Sequence, residues 1–459
     1  MSKGKRHFTR QRPARAAEPK RVLDPTPQLV EITKPLYGGQ FLARLDGKSV
    51  FVPLTLPGEQ VRVRITEDKK SYSVAEPLES LLASPDRTTP QCPYFGVCGG
   101  CNYQHANYAS QLAMKESILR ETLTRGGVVP TEKINVLAAT PWAYRNRIRL
   151  GFDVQGNPGY RGRRSHAIVP ISECPIAAPK LISAAQTIAG ICRSANPSLT
   201  LSEVSLFCNH DESAMLATLF ASSAENAPSQ SALDTICACL KDRIPALSGL
   251  EIVAATDDNQ PARTLAQQGN ASIKYHAAGS DYRVDHGAFF QVNRFLIDAL
   301  VDLVVAQHTG YLAWDLFAGV GLFARQLAKS FAKVVAVESA PSAIAALETN
   351  LKDTSDSAVR ANTLDFLRRG SQPANNAARL ERPDLVIVDP PRSGLGPEVT
   401  TLLGQIAPRT IVYVSCDPAT LARDLNALLQ CGYAIDSIAL ADLFPQTYHL
   451  ESVVTLHHS

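Results

Sequence analysis

The sequence predicts a multidomain α/β protein: a small closed β-barrel, an irregular α+β central region, and a doubly wound parallel α/β domain towards the C-terminus. Three observations carry this. The chain has 459 residues, more than one ordinary hydrophobic core organises. Residues 28–85 alternate short β-rich runs with Gly-containing turns. In residues 276–459, apolar strands that end in a carboxylate or Ser alternate with Ala/Leu-rich helical stretches. The organisation expected is therefore an arm over 1–27, a barrel over 28–85, a central domain over 86–275, and the α/β domain over 276–459.

The arm holds eight Lys or Arg (Lys3, Lys5, Arg6, Arg10, Arg12, Arg15, Lys20, Arg21) against Glu18 and Asp24, so it more than accounts for the whole-chain net charge of +3. Without apolar periodicity it is expected to be disordered, either as a solvated tail or as a source of non-specific phosphate attraction. It shows neither the apolar core of a secretory signal nor the amphipathic helix of a mitochondrial presequence. Hydrophobic residues make up 45% and charged residues 19%, close to globular averages, and no apolar run is long enough to span a bilayer. These features predict a cytoplasmic protein.

In the barrel segment the runs Leu29–Ile32, Gln40–Arg44, Ser49–Val52 and Gln60–Ile65 are separated by Gly38-Gly39, Asp46-Gly47 and Pro57-Gly58. Alternation puts Val61, Val63 and Ile65 inside and Arg62 and Arg64 outside, on a surface suited to a phosphate backbone or simply to water. In the central region, Arg145, Arg147 and Arg149 would project from one face of an extended strand, with Arg161, Arg163 and Arg164 beyond a turn. Together they suggest an RNA contact face. A Ser/Ala/Asn/Pro-rich connection lies around 221–231.

Ten cysteines are unevenly spread: Cys92, Cys98 and Cys101 crowd one loop, whereas Cys416 stands alone at a strand end. In a reducing compartment the cluster suggests a metal, and the isolated thiol suggests either chemistry or core packing.

In the α/β domain, the strands Tyr311–Asp315, Val334–Glu338, Leu385–Asp389 and Ile411–Ser415 bring Asp315, Glu338, Asp389 and Ser415-Cys416 to the carboxyl edge, where such sheets bind ligands. Asp315-Leu316-Phe317-Ala318-Gly319-Val320-Gly321 is a tight turn, and Glu338 ends the following strand, where two oxygens can accept both ribose hydroxyls. A nicotinamide nucleotide would use a similar acid, but Leu322-Phe323-Ala324 supplies no third glycine, so no pyrophosphate fingerprint is present. A nucleoside cofactor without a diphosphate fits better. Asp365 follows the next strand and can either reach an adenine amino group or cap a helix.

Asp389-Pro390-Pro391-Arg392 and Ser415-Cys416-Asp417-Pro418 should occupy neighbouring strand ends. A thiol beside a methyl donor has a specific use. C5 of uracil is too poor a nucleophile to attack a sulfonium until a thiolate has added at C6, and the C5 proton must then be removed by a base. His449 and Glu451 are the candidates, and Glu451 is favoured because burial at the start of an apolar last strand would raise its proton affinity.

These motifs, together with Val414–Asp424 and His449-Leu450-Glu451-Ser452, resemble those of the RNA uracil-C5 methyltransferase family, and Gly287–Asn293 resembles its cofactor-contacting segment. The resemblance implies S-adenosylmethionine as cofactor, with Gln291, Phe317, Leu322, Glu338, Asp365 and Asp389 around it, Cys416 as nucleophile and Glu451 as proton acceptor. Leu322 stands where the family often has Asn, and Asp417 where Asn often follows the nucleophile. Residues 28–82 resemble the family's RNA-binding TRAM barrel. Cys92, Cys98, Cys101 and Cys174 resemble the 4Fe-4S ligands of its ribosomal branch, although four thiolates also suit zinc. The implied partner is 23S ribosomal RNA and the implied state a monomer. The rivals are the same chemistry on transfer RNA and a non-catalytic iron-sulfur RNA-binding protein.

Overall fold

The computed structural model describes residues 25–195, 199–222, 229–254, 263–354, 356–371 and 381–458. The expected arm thus lies almost wholly outside the described residues, as does most of the 221–231 connection.

Two compact units emerge: one from the barrel residues up to Lys34 and 41–83, the other from 35–40 with 84–459. The first is a closed five-stranded barrel. Its strands Gln28–Leu36, Gln40–Leu45, Lys48–Pro53 and Gln60–Asp68 cover the four expected runs, and Tyr72–Leu82 closes the ring between the third and fourth. Val61 and Val63 are buried and Arg62 and Arg64 exposed, as alternation requires. Arg62 is paired with Glu79 at 3.0 Å.

The larger unit contains two main sheets. A seven-stranded sheet runs from Arg263–Gly269 through the central Leu201–Cys208 and Met215–Ala221 to Ile168–Pro170, and packs helices Pro179–Ala195 and Gln230–Arg243 through its own core. The second, eight-stranded sheet has the order Ser357–Arg360, Phe331–Glu338, Gly310–Leu316, Leu385–Val388, Thr410–Ser415, Glu451–His458, Tyr433–Ala441, Asn135–Leu137. Its first five strands are parallel, and Glu451–His458 inserts antiparallel beside Thr410–Ser415.

Both faces of this sheet are covered, which is why its strands read as unbroken apolar runs. Ala313, Val334, Ile387 and Val412 belong to one core, while Trp314, Val335, Val386 and Tyr413 belong to the other. Helix Tyr108–Arg125 and strand Asn135–Leu137, both early in the chain, join this layer rather than the seven-stranded sheet. No helix among the described residues is long and apolar enough to cross a membrane.

One expectation is corrected here. Of the arginines of 145–149, Arg145 and Arg147 are covered by other elements, and Arg149 stays exposed. Arg147 lies over the Phe207 ring and donates to the Ala288 carbonyl at 2.7 Å, Arg149 is paired with Glu203, and Arg145 lines the cysteine cavity. Arg161 and Arg164 are exposed, but the Arg161 carbonyl and the Arg163 side chain hold the cysteine loop at Gly99 and Gly96.

Candidate active site

The strand Gly310–Leu316 ends in a turn whose backbone the sequence makes possible. Gly319 and Gly321 have φ of 56° and 87°, and Phe317, with φ of 67°, also sits in the left-handed region. A side chain on Gly321 would collide with Leu347 at 2.6 Å, whereas the space above Gly319 is open. Glu338 accepts the backbone N–H of Gly319 at 2.8 Å through one oxygen and those of Ser339 and Ala340 through the other. It therefore staples two adjacent strand ends and retains part of its accepting capacity.

Asp315 is fully buried; its Oδ2 accepts the Ala324 N–H at 2.9 Å, and its Oδ1 has no protein partner. Burial pushes its carboxyl up to about 7, with Asp389 and Glu338 adding like-charge repulsion. Asp389, at the end of the next strand, is also raised to about 7 by burial, and the Gln291 amide donates to its Oδ2 at 3.4 Å. Gln291 and Asp389 thus meet although nearly a hundred residues separate them.

The remaining cofactor candidates behave differently. The Leu322 side chain is buried in the apolar core, and its carbonyl accepts the Tyr282 hydroxyl at 3.1 Å, so this side chain offers a ligand no polar atom. Asp365 lies in the first turn of helix Thr363–Ser371, exposed and 3.9 Å from Arg368. Asn362, ahead of this helix, accepts the Leu364 N–H at 2.9 Å.

Cys416 occupies the single-residue gap between strand Thr410–Ser415 and Asp417, which caps helix Pro418–Gln430 by accepting the N–H groups of Ala419 and Thr420. Asp is a good N-cap, so its presence after the thiol has a local structural reason. The antiparallel register pairs Ser415 with Ser452, which sets Glu451 beside Cys416. Burial pushes the Cys416 thiol up to about 12, reinforced by Glu451 and Asp389 and opposed by Arg392. Glu451 is 5% exposed, and burial, with Asp389 next in importance, raises its carboxyl well above the usual range.

His449 is a poor base. Burial and the cations Arg392, Arg145 and Lys115 lower it to about 4, and Arg392 lies 3.1 Å from its Nδ1. Reading the sequence missed two contributors: Arg392, visible as the last residue of its motif, and Tyr37, whose hydroxyl donates to the Cys416 carbonyl at 3.2 Å. Only the Gly38-Gly39 turn marked the latter.

Cys92, Cys98, Cys101 and Cys174 line one partly open cavity with Arg145 and Tyr160. The thiols of the first three each feel Cys174. Among the described residues no group of three or more His, Cys, Asp or Glu side chains forms a site for a single metal ion.

A family model described as tRNA (uracil-5-)-methyltransferase matches residues 269–459, and a TRAM domain model matches residues 26–78. A 23S rRNA (uracil(1939)-C(5))-methyltransferase RlmD of Pectobacterium atrosepticum is 32% identical over 92% of this chain and 91% of its own. The protein of that name from Klebsiella pneumoniae is 34% identical, with coverages of 91% and 92%. An uncharacterised RNA methyltransferase of Thermotoga maritima is 32% identical over 93% and 98%. The crystal structure of Pyrococcus abyssi tRNA (uracil-54, C5)-methyltransferase in complex with S-adenosyl-L-homocysteine shares the fold, with a TM-score of 0.73, 24% identity and coverage of 93% and 100%. Identity of this extent over nine-tenths of the chain means that the protein belongs to the RNA uracil-C5 methyltransferase family, whose members are S-adenosylmethionine-dependent enzymes.

Proposed function

We propose that the protein methylates C5 of one uridine in 23S ribosomal RNA, forming 5-methyluridine through a covalent bond between Cys416 Sγ and C6 of the base. The observation that carries this is the convergence of Cys416, Glu451, Asp389 and Arg392 at adjoining strand ends. A protein that only binds RNA has no use for that grouping.

The pocket suits S-adenosylmethionine. The unpartnered Asp315 Oδ1, the open space above Gly319 and the Gln291–Asp389 contact all lie along one strand edge. In this reading Gln291, Phe317, Glu338 and Asp389 hold the cofactor, Asp365 contributes from the rim, and Leu322 contributes only backbone and packing. The cofactor supplies a methyl group on a sulfonium, which departs as a neutral thioether.

Burial holds the protons of both Cys416 and Glu451 in the free protein, so both must pass to solvent as the uridine enters, leaving the Sγ thiolate for the addition and an ionised Glu451 for the later proton removal. The base has to leave the RNA stack to reach this depth. Sγ then adds to C6, and the electron pair of the C5–C6 double bond moves onto the C5–C4–O4 system, where the Arg392 guanidinium offsets the charge. C5 takes the methyl group. Glu451 removes the C5 proton, the C5–C6 double bond re-forms, and Sγ is expelled.

The four cysteines share one cavity, and a 4Fe-4S cluster takes one such thiolate per iron, so this donor set would hold the cluster; four thiolates also suit zinc. The cluster, the TRAM barrel and the named relatives together favour ribosomal RNA, and we read the enzyme as a cytoplasmic monomer with that RNA as its partner.

The test is transfer of labelled methyl from S-adenosylmethionine into separate pools of unmodified ribosomal and transfer RNA, followed by nucleoside analysis. Label as 5-methyluridine in the large-subunit RNA supports the proposal, and label confined to transfer RNA moves the substrate assignment to that class. Iron and sulfide content of anaerobically purified protein, compared with that of Cys101→Ser, tests the cluster.

A further inference from the structure

We infer that Gln111 is a positioning residue for the base Glu451, acting through Gln446. The inference rests on the reading of Glu451 as the proton acceptor.

The segment from Asp442 to Leu450 joins strand Tyr433–Ala441 to strand Glu451–His458 and so carries both His449 and Glu451 to the site. It is held from outside by a nearly continuous series of buried polar contacts. Lys115 Nζ donates to Asp442 Oδ1 at 2.5 Å and to the Phe444 carbonyl at 2.9 Å, while the Tyr108 hydroxyl donates to Asp442 Oδ2 at 2.9 Å. The Tyr144 hydroxyl reaches the Pro445 carbonyl at 3.0 Å, and Asn293 reaches the Leu443 carbonyl at 3.3 Å.

Gln446 is the residue of this segment nearest to Glu451 whose backbone hydrogen-bonds to other elements, and it is held through its N–H, its carbonyl and its side chain. Its N–H donates to Gln111 Oε1 at 3.0 Å, and its Oε1 accepts from Gln111 Nε2 at 2.9 Å. The second N–H of the Gln111 amide goes to the Ala106 carbonyl. The Gln446 carbonyl accepts both Asn102 N–H, at 2.9 Å, and Tyr103 N–H, at 3.0 Å. Gln111 and Gln446 are 1% and 2% exposed, so water cannot replace these partners.

Gln446 also has φ of 69°, a left-handed conformation that a side-chain-bearing residue holds only when its surroundings impose it. Gln111 therefore keeps the chain bent in the direction that lets Thr447, His449 and Glu451 follow. Beyond Gln446 the backbone of the loop is fastened to itself, Thr447 to Phe444 and the His449 N–H to the Thr447 hydroxyl, while the Tyr448 ring packs against Tyr37 and the His449 ring meets Arg392. A shift at Gln446 has only four residues, Thr447 to Leu450, in which to be absorbed before Glu451 enters its pairing with Ala441. Asn102 directly follows Cys101, so the same grip ties the cysteine loop to the base-bearing loop.

A positioning role is separable from a purely structural one because Glu451 acts after the adduct has formed. The full chain, Gln111→Ala, Gln446→Ala and Glu451→Gln are compared in single-turnover reactions with S-adenosylmethionine and an unmodified ribosomal RNA transcript. Covalent RNA–protein complex is followed on denaturing gels and released 5-methyluridine by nucleoside analysis. Gln111→Ala should form the adduct at close to the parent rate but release product about 10²-fold more slowly, the cost of a displacement of about 1 Å. A methylated covalent complex should therefore accumulate. Gln446→Ala, which loses one side-chain bond and keeps its backbone grip, should show a weaker form of the same defect, and it decides the question if Gln111→Ala does not fold. Release at the parent rate by the folded glutamine variants, or an equal fall in adduct formation and release, overturns the inference. If Glu451→Gln itself releases product normally, the base assignment fails and this inference with it. If Glu451→Gln traps the complex while both glutamine variants do not, only the positioning role fails.

Discussion

Glu451 and Cys416 face each other because Ser452 pairs with Ser415 across an antiparallel junction in an otherwise mostly parallel sheet. Burial raises the proton affinity of both groups, and Glu451 raises that of the half-buried Cys416 thiol further, so the resting site is largely uncharged.

Removing the thiol should leave no route to C5, so Cys416→Ala is expected to abolish methyl transfer while S-adenosylmethionine binding, measured by calorimetry, persists. Glu451→Gln should still form the adduct but lose about 10³-fold in product release, within the range general-base catalysis supplies.

The site should work better in base than in acid. Cys416, Glu451 and Asp389 all hold their protons more tightly than free groups do, so single-turnover rates should rise through neutral pH and continue upward rather than level off near pH 5. Asp389 is one cause of the raised Glu451 carboxyl. Removing its charge in Asp389→Asn should move the midpoint of the residual product-release profile to lower pH, and a midpoint shifted upward would contradict the coupling.

Asp315 makes the cofactor-free protein less stable as pH rises. Its folded proton affinity is raised to about 7, whereas an unfolded Asp titrates at about 3.9. Between those values the folded state holds the extra proton, so its contribution is present at low pH and fades towards pH 7, by roughly 4 kcal/mol in total. Urea denaturation of Asp315→Asn across pH 4.5–8 should show a correspondingly flatter profile.

The Lys115–Asp442 pair is fully buried on both sides. Lys115→Met should destabilise the protein by about 3–5 kcal/mol because it leaves an uncompensated carboxylate. The double variant Lys115→Met/Asp442→Leu should recover part of that loss, as chemical denaturation can measure.

Much of the catalytic half was readable in the sequence because a parallel sheet covered on both faces writes its strands as continuous apolar runs. The residues after Gly310–Leu316, Phe331–Glu338, Leu385–Val388 and Thr410–Ser415 therefore announced themselves at the ligand-binding edge. The arginines of 145–149 show the opposite case. Alternation put them on one side of a strand, but their surroundings depended on packing from distant segments, which turned Arg147 onto Phe207 and Arg145 into the cysteine cavity.

Local motif and periodicity already set out the chemistry on offer: a thiol, an acidic strand edge, a glycine turn and four cysteines. Which groups act together was decided only by the tertiary structure. The Ser415–Ser452 register brings Glu451 to Cys416, a buried amide pair joins Gln111 to Gln446, and Lys115 meets Asp442. Each of these joins residues far apart in the chain, and no local pattern encodes such a pairing. It becomes favourable only when burial removes water and leaves each polar group only its partners in the protein.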